Sequence, residues 1–144
     1  MGGYGAARIG LKHSDLFQAL SLFGAGPLQL DFMTTDHTLV PLETREQIFN
    51  QVYGADTNYF IAQSPWTLAA TYAESDTDDL IIRQAIGAED VLLPHNRAFH
   101  ERLTDLNIPH HYTEVDNVGH QPLLLLLGLG PDHWLFYRDV LGPP

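Results

Sequence analysis

A strand, a helix and a second strand follow one another in the middle of this chain, and that succession limits the fold more than any other feature. Thr77 to Ile86 (TDDLIIRQAI) has an apolar centre at Leu80-Ile81-Ile82 and stops at Gly87. Pro94 to Leu106 is amphipathic, with Phe99, Leu103 and Leu106 on one helical face. Pro109 to Val115 (PHHYTEV) alternates toward its end and reads as a strand. Two strands joined through a helix are parallel neighbours, because a parallel pair needs a long crossover where an antiparallel pair needs only a turn. A strand covered on both faces reads as a continuous apolar run, and Leu80-Ile81-Ile82 has that form.

The flanking segments extend the same alternation. Residues 4–12 suit a short helix: Ala6, Ala7, Ile9, Gly10 and Leu11 are small or apolar, and Lys12 and His13 lie where cations meet the carbonyl end of the dipole. Leu16 to Gly26 is an apolar run closed by glycines and a proline, and it reads as a buried strand followed by a turn. Residues 27–40 are irregular. Glu43 to Tyr53 has helical spacing at Ile48, Phe49 and Val52. Ser64-Pro65-Trp66 starts another helix, with serine as cap and proline in the first helical position. Residues 27–75 are therefore read as a helical, lid-like insertion. Residues 121–127 and 131–141 form a closing pair of helices around Gly128-Leu129-Gly130. The expected class is α/β: a parallel sheet with flanking helices and a helical insertion.

Composition narrows the function. At 144 residues the chain has the length of one domain. Seven Lys+Arg against 18 Asp+Glu give a net charge of −11, which argues against a nucleic-acid surface or an anionic membrane face. With 44% hydrophobic residues this acidity is not a sign of disorder. The absence of cysteine removes disulfides, a thiolate nucleophile and thiolate-bound zinc. The start of the chain has no signal-peptide pattern, and the leucine run 123–127 is far shorter than the ~20 residues of a membrane span. A soluble, cytoplasmic protein is the expectation.

In open α/β sheets the chemistry gathers beyond the carboxyl ends of the strands. Asp90 follows one strand in Gly87-Ala88-Glu89-Asp90, and His120 follows the next in Asn117-Val118-Gly119-His120. A carboxylate and an imidazole on neighbouring loops are the orienting group and base of a hydrolase triad, and equally the ordinary polar residues of two loops. His133, within Asp132-His133-Trp134, is the alternative base. Asp78 and Asp79 precede their strand and so belong to the other end of the sheet. His110 and His111 are adjacent on a strand and point to opposite faces, so with His95 and His100 they make no regular metal set. Gly3, Gly5 and Gly10 do not have dinucleotide-loop spacing. Neither a metal nor a cofactor is expected. Of the aromatics in the helical excursion, Phe49, Tyr53 and Tyr72 read as core, and Trp66 is placed near the pocket.

Several stretches resemble the α/β-hydrolase serine esterases of the esterase D and tributyrin-esterase-like group. Met1-Gly2-Gly3-Tyr4-Gly5-Ala6 resembles the segment after the nucleophile in their Gly-x-Ser-Met-Gly-Gly elbow. Lys12-His13-Ser14-Asp15-Leu16-Phe17 is similar to their link into the next strand. Gly87-Ala88-Glu89-Asp90 with Asn96-Arg97-Ala98-Phe99 resembles the acid loop and its helix, and Asn107-Ile108-Pro109 with Gly119-His120 resembles the approach to the base. The order acid then histidine is that of the fold.

The resemblance implies the C-terminal portion of such a fold, Asp90 and His120 as acid and base, and the Met1 amide as an oxyanion donor. It also puts the serine immediately ahead of Met1, so the 144 residues are expected to lack their own nucleophile and to be inactive alone. The implied substrate is a small-molecule ester. The alternative is a non-catalytic module that homodimerises or binds a partner through an open sheet edge.

Overall fold

The computed structural model describes residues 2–75 and 80–142. Three parallel strands form one sheet in the order β1 (Ala19–Phe23), β2 (Ile81–Gly87), β3 (His110–Val115). Register runs from Ala19↔Ile81 to Phe23↔Ala85 on one side of β2, and from Ile82↔His110 to Gly87↔Val115 on the other. Helix α1 (Gly2–Lys12) precedes β1; α2 (Leu42–Tyr53), α3 (Thr57–Gln63) and α4 (Pro65–Ala73) fill the first crossover; α5 (Leu93–Asp105) fills the second. Helices α6 (Pro122–Leu129) and α7 (Pro131–Leu141) close the chain. The α/β class and the strand–helix–strand unit are as the sequence implies.

The main core lies between the sheet and α1, α4 and α5. Leu20, Leu22 and Ile82 from the strands meet Ala7, Leu11, Leu68, Ala69, Tyr72, Phe99 and Leu103 from the helices. Phe99 and Leu103, four residues apart on α5, are completely buried, as their helical spacing indicates. Helix α1 comes unusually close to β1 because Gly3 and Gly10 share its inner face. A Cβ at Gly3 would stand 2.7 Å from the Phe23 carbonyl oxygen, and one at Gly10 would stand 2.8 Å from a Leu20 methyl. Ser64 caps α4, its hydroxyl accepting from the Trp66 N–H at 3.2 Å, with Pro65 next in line.

Three local readings need correction. The expected strand over 16–26 shrinks to the five residues that can pair with β2; Leu16 lies in a 3-10 turn and is exposed. Helix α3 is additional. Its signal was Asp56, whose carboxylate accepts from the N–H groups of Asn58 and Tyr59 as an N-cap. The central strand is not a continuous apolar run either: Ile81 is exposed, whereas Arg83 and Gln84 are buried. Gln84 donates to the carbonyl and side-chain oxygens of Asn96 at 2.8 and 2.9 Å, and Asn96 in turn donates to Ala25 O and Leu92 O. These bonds tie β2 to the start of α5 and to the loop after β1. Asp78 and Asp79 lie outside the described residues.

Residues 27–40 contain neither helix nor strand, yet they are well anchored. The buried Arg45 guanidinium donates to Phe32 O and Thr35 O at 2.9 and 3.1 Å. His95, at the start of α5, hydrogen-bonds Thr35 Oγ1 through Nε2 and Gln29 through Nδ1.

Burial pushes the imidazole of His95 below its ordinary pKa of 6.5, and burial does the same at His110 and His133. Below 6.5 the unfolded chain therefore binds protons that the folded one resists, so stability is complete above that pH and declines beneath it. Urea midpoints are predicted to be flat from pH 8 to about 6.5 and to fall between about 6.5 and 5, before the carboxylates titrate. His95→Gln should make that decline shallower; an unchanged slope would contradict the assignment.

Candidate active site

The loops after β2 and β3 are fastened to one another by backbone. Ala88 N–H donates to Val115 O and Glu89 N–H donates to Val118 O, both at 2.9 Å. Gly87 makes this possible, since a Cβ there would sit 2.0 Å from Val118 O and no side chain fits. The two loops thus meet immediately beyond the strand ends, and Asp90 and His120 face each other across the join.

Asp90 Oδ2 accepts from His120 Nδ1 at 2.9 Å, while Asp90 Oδ1 accepts from Leu92 N–H at 2.9 Å. The carboxylate is 2% exposed and the imidazole 36%. Both acid oxygens are engaged, so the carboxylate has a fixed orientation. Because a carboxylate accepts, Nδ1 carries the proton and Nε2 keeps its lone pair. A buried partner thus sets the tautomer, and the lone pair of Nε2 is left unused by it.

The cleft around the pair measures about 350 Å³ and is lined by Gly2 and Gly3 of α1, Phe23 and Gly24 at the end of β1, Asp90 and His120. Gly24 has φ of +50°, and a Cβ there would lie 3.4 Å from His120 Cε1, so a left-handed glycine lets β1 turn close beneath the imidazole. The first N–H groups of α1 have no partners inside the helix, and they open on the same cleft. Ser21 also lines it, but its Oγ accepts from Arg83 Nη2 at 2.9 Å.

The other candidates lie elsewhere. His133 is buried in α7; its carbonyl accepts from Arg83 Nη1 at 3.3 Å and its ring stands 5.6 Å from Phe23. Burial and the facing Arg83 charge hold its pKa below the ordinary imidazole value. Among the described residues, the ion pairs give the carboxylate partner to His120 and none to His133. Arg83 itself lies among aromatic rings, 4.1 Å from the Phe136 centroid and 4.9 Å from that of Phe23. Trp66 is not near the cleft as expected. It packs on Phe99 in the core with the Arg102 guanidinium over its ring, because α4 turns that face toward α5. His110 pairs with His100 at 2.7 Å, and among the described residues no group of three or more His, Asp or Glu is arranged around a common point for a metal. Met1 lies outside the described residues.

Asp90 and His120 stand together as a hydrogen-bonded pair, and what holds them is not legible in the local sequence. In the sequence alone, Gly24 and Gly87 read only as ends of strands. Their signal is positional: each is a glycine at the carboxyl end of a strand entering this cleft.

A Gly87→Ala substitution is predicted to destabilise the fold by more than about 2 kcal/mol, since backbone must move to admit the methyl. It should also raise amide exchange at Ala88 and Glu89. Wild-type exchange at those two amides would show that the loops do not depend on the close approach.

No protein-family model matches the sequence, and no curated protein matches it. Solved structures do. An S-formylglutathione hydrolase from Staphylococcus aureus matches with a TM-score of 0.66 and 18% identity, over 95% of this chain and 50% of that one. A ferulic acid esterase matches at 0.58 and 20%, over 97% of this chain and 46% of that one. A fluorophosphonate-binding serine hydrolase from S. aureus matches at 0.65 and 18%, over 94% and 50%. This chain spans about half the length of these structures. At such identities the likeness is one of architecture: three parallel strands and their flanking helices, arranged as in part of an α/β-hydrolase fold.

Proposed function

We propose that the chain carries the acid and base of a serine carboxylesterase-type hydrolase, with Asp90 orienting His120 toward a serine nucleophile. The observation that supports this best is the 2.9 Å hydrogen bond from His120 Nδ1 to a buried, doubly bonded carboxylate, in a cleft that also receives the start of α1.

In this reading His120 Nε2 takes the serine proton as the hydroxyl attacks the ester carbonyl, and Asp90 stabilises the imidazolium that forms. The oxyanion of the tetrahedral intermediate meets unpaired N–H groups at the start of α1. His120 then returns the proton to the departing alcohol, and water repeats the cycle to free the acid. Small acyl esters or thioesters are the proposed substrates. An S-formylglutathione hydrolase and a ferulic acid esterase are among the solved structures that share the fold.

The 144 residues alone are predicted to hydrolyse p-nitrophenyl acetate no faster than buffer. Turnover that disappears in His120→Ala would overturn that expectation by revealing a nucleophile within the chain. In a polypeptide with Gly-x-Ser ahead of residue 1, Asp90→Asn should lower kcat by about 10³- to 10⁴-fold with little change in KM. A loss smaller than about tenfold would remove Asp90 from the mechanism.

A second reading rests on a different observation. Among the described residues β1 pairs on one side only, and Leu123, Leu127, Trp134 and Leu141 are exposed on α6 and α7. We propose accordingly that the chain by itself associates through this edge, as a homodimer. Light scattering on a gel-filtration peak should give twice the chain mass; a monomer at tens of micromolar would contradict it.

A further inference from the structure

A second cavity, of about 450 Å³, runs along the opposite stretch of α1 and shares no lining residue with the cleft of Asp90 and His120. Its size is within the usual range for small-molecule sites. Ile9 of α1, Phe32 and Val40 of the irregular segment, Ile48 of α2 and Phe60 of α3 supply apolar walls. The hydroxyls of Tyr4 and Tyr53 pair with each other at 3.2 Å, which leaves one O–H donor at that point of the wall.

The charge at this cavity is opposite to that of the molecule. The chain has net charge −11 and only seven Lys+Arg, yet Arg8 and Lys12 both line the cavity and no Asp or Glu does. These two cations converge on a single uncharged acceptor, Gln63 Oε1, at 3.4 Å from Arg8 Nη2 and 2.8 Å from Lys12 Nζ. Among the described residues, the ion pairs of Arg and Lys join Arg97 to Glu114 and Arg138 to Asp139, and none reaches Arg8 or Lys12. An amide oxygen is a weak partner for two full charges, whereas a carboxylate between them would make charge-assisted hydrogen bonds to both.

We propose that this cavity binds a medium-chain fatty acid, with its carboxylate between Arg8 and Lys12 and its alkyl chain against Phe32, Ile48 and Phe60. The ligand chemistry follows from the two features together: Arg8 and Lys12 without a carboxylate partner at one end, where His13 also lines the cavity, and walls that are largely apolar along Ile9, Phe32, Val40, Ile48, Val52 and Phe60. Its burial is favourable by about 0.8 kcal/mol for each methylene removed from water. Binding here does not rest on the hydrolase reading, and it is measured without turnover.

The test is calorimetric titration of the 144-residue chain with decanoate, below its micelle-forming concentration, with decanol as the uncharged control. Decanoate should saturate at one site and bind about tenfold tighter than decanol. The double variant Arg8→Gln/Lys12→Gln, checked for native circular dichroism, should bring the two ligands within about twofold, while Lys12→Arg keeps the preference. Ile48→Phe, which narrows the cavity without touching a charge, should weaken both ligands. Equal affinity for decanoate and decanol in the wild type, a preference that survives in the double variant, or undiminished binding to Ile48→Phe would each overturn the proposal. Titration without saturation would overturn it as well.

Discussion

Backbone meets backbone at Gly87, and the geometry beyond the strand ends depends on that meeting. Val118 O occupies the space where a side chain at position 87 would project. The two amide bonds from Ala88 and Glu89 then make the loops after β2 and β3 a single unit. Asp90 emerges from this unit already committed to the Leu92 N–H, with one oxygen left for His120. A buried carboxylate without that second partner would be costly, so the loop pairing and the acid–imidazole bond support one another.

The two faces of β2 serve different ends. On the face toward α5, Gln84 and Asn96 connect the strand, the helix and the turn after β1 through four hydrogen bonds. On the face toward α7, Arg83 donates to Ser21 and to the carbonyl of His133 among Phe23, Phe136 and Tyr137. Placing polar groups in a central strand is expensive unless each finds partners, and here they nearly all do. The exception is Gln84 Oε1, which is buried without a partner among the described residues. The result is a sheet whose carboxyl end is held from the α5 side by hydrogen bonds rather than by packing alone.

Much of this was legible in the sequence, for physical reasons. The periodicities of Phe99 and Leu103, the Ser64-Pro65 start and the β2–α5–β3 order are local signals that survive folding unchanged. Asp90 and His120 could be singled out because strand-end loops are where such sheets gather reactive groups. What escaped notice was non-local. Helix α3 depends on the Asp56 cap more than on a long periodic face. Residue type alone suggests a place near the cleft for Trp66, but its helix turns it onto Phe99 of α5. The polar composition of β2 makes sense only once Asn96 and Ser21 are seen beside it, at separations no short window can reveal. Lys12 reads as the ordinary basic end of a helix, and its convergence with Arg8 on Gln63 of α3 is visible only in the fold.

A buried Asp90 holds His120 in the tautomer that leaves Nε2 unprotonated. Nitrogen-15 NMR of the imidazole measures this directly. The expected result is a protonated Nδ1 with a slowly exchanging, downfield-shifted proton, an unprotonated Nε2, and loss of that proton signal in Asp90→Asn. A proton on Nε2, or an Nδ1 signal unchanged by Asp90→Asn, would contradict it.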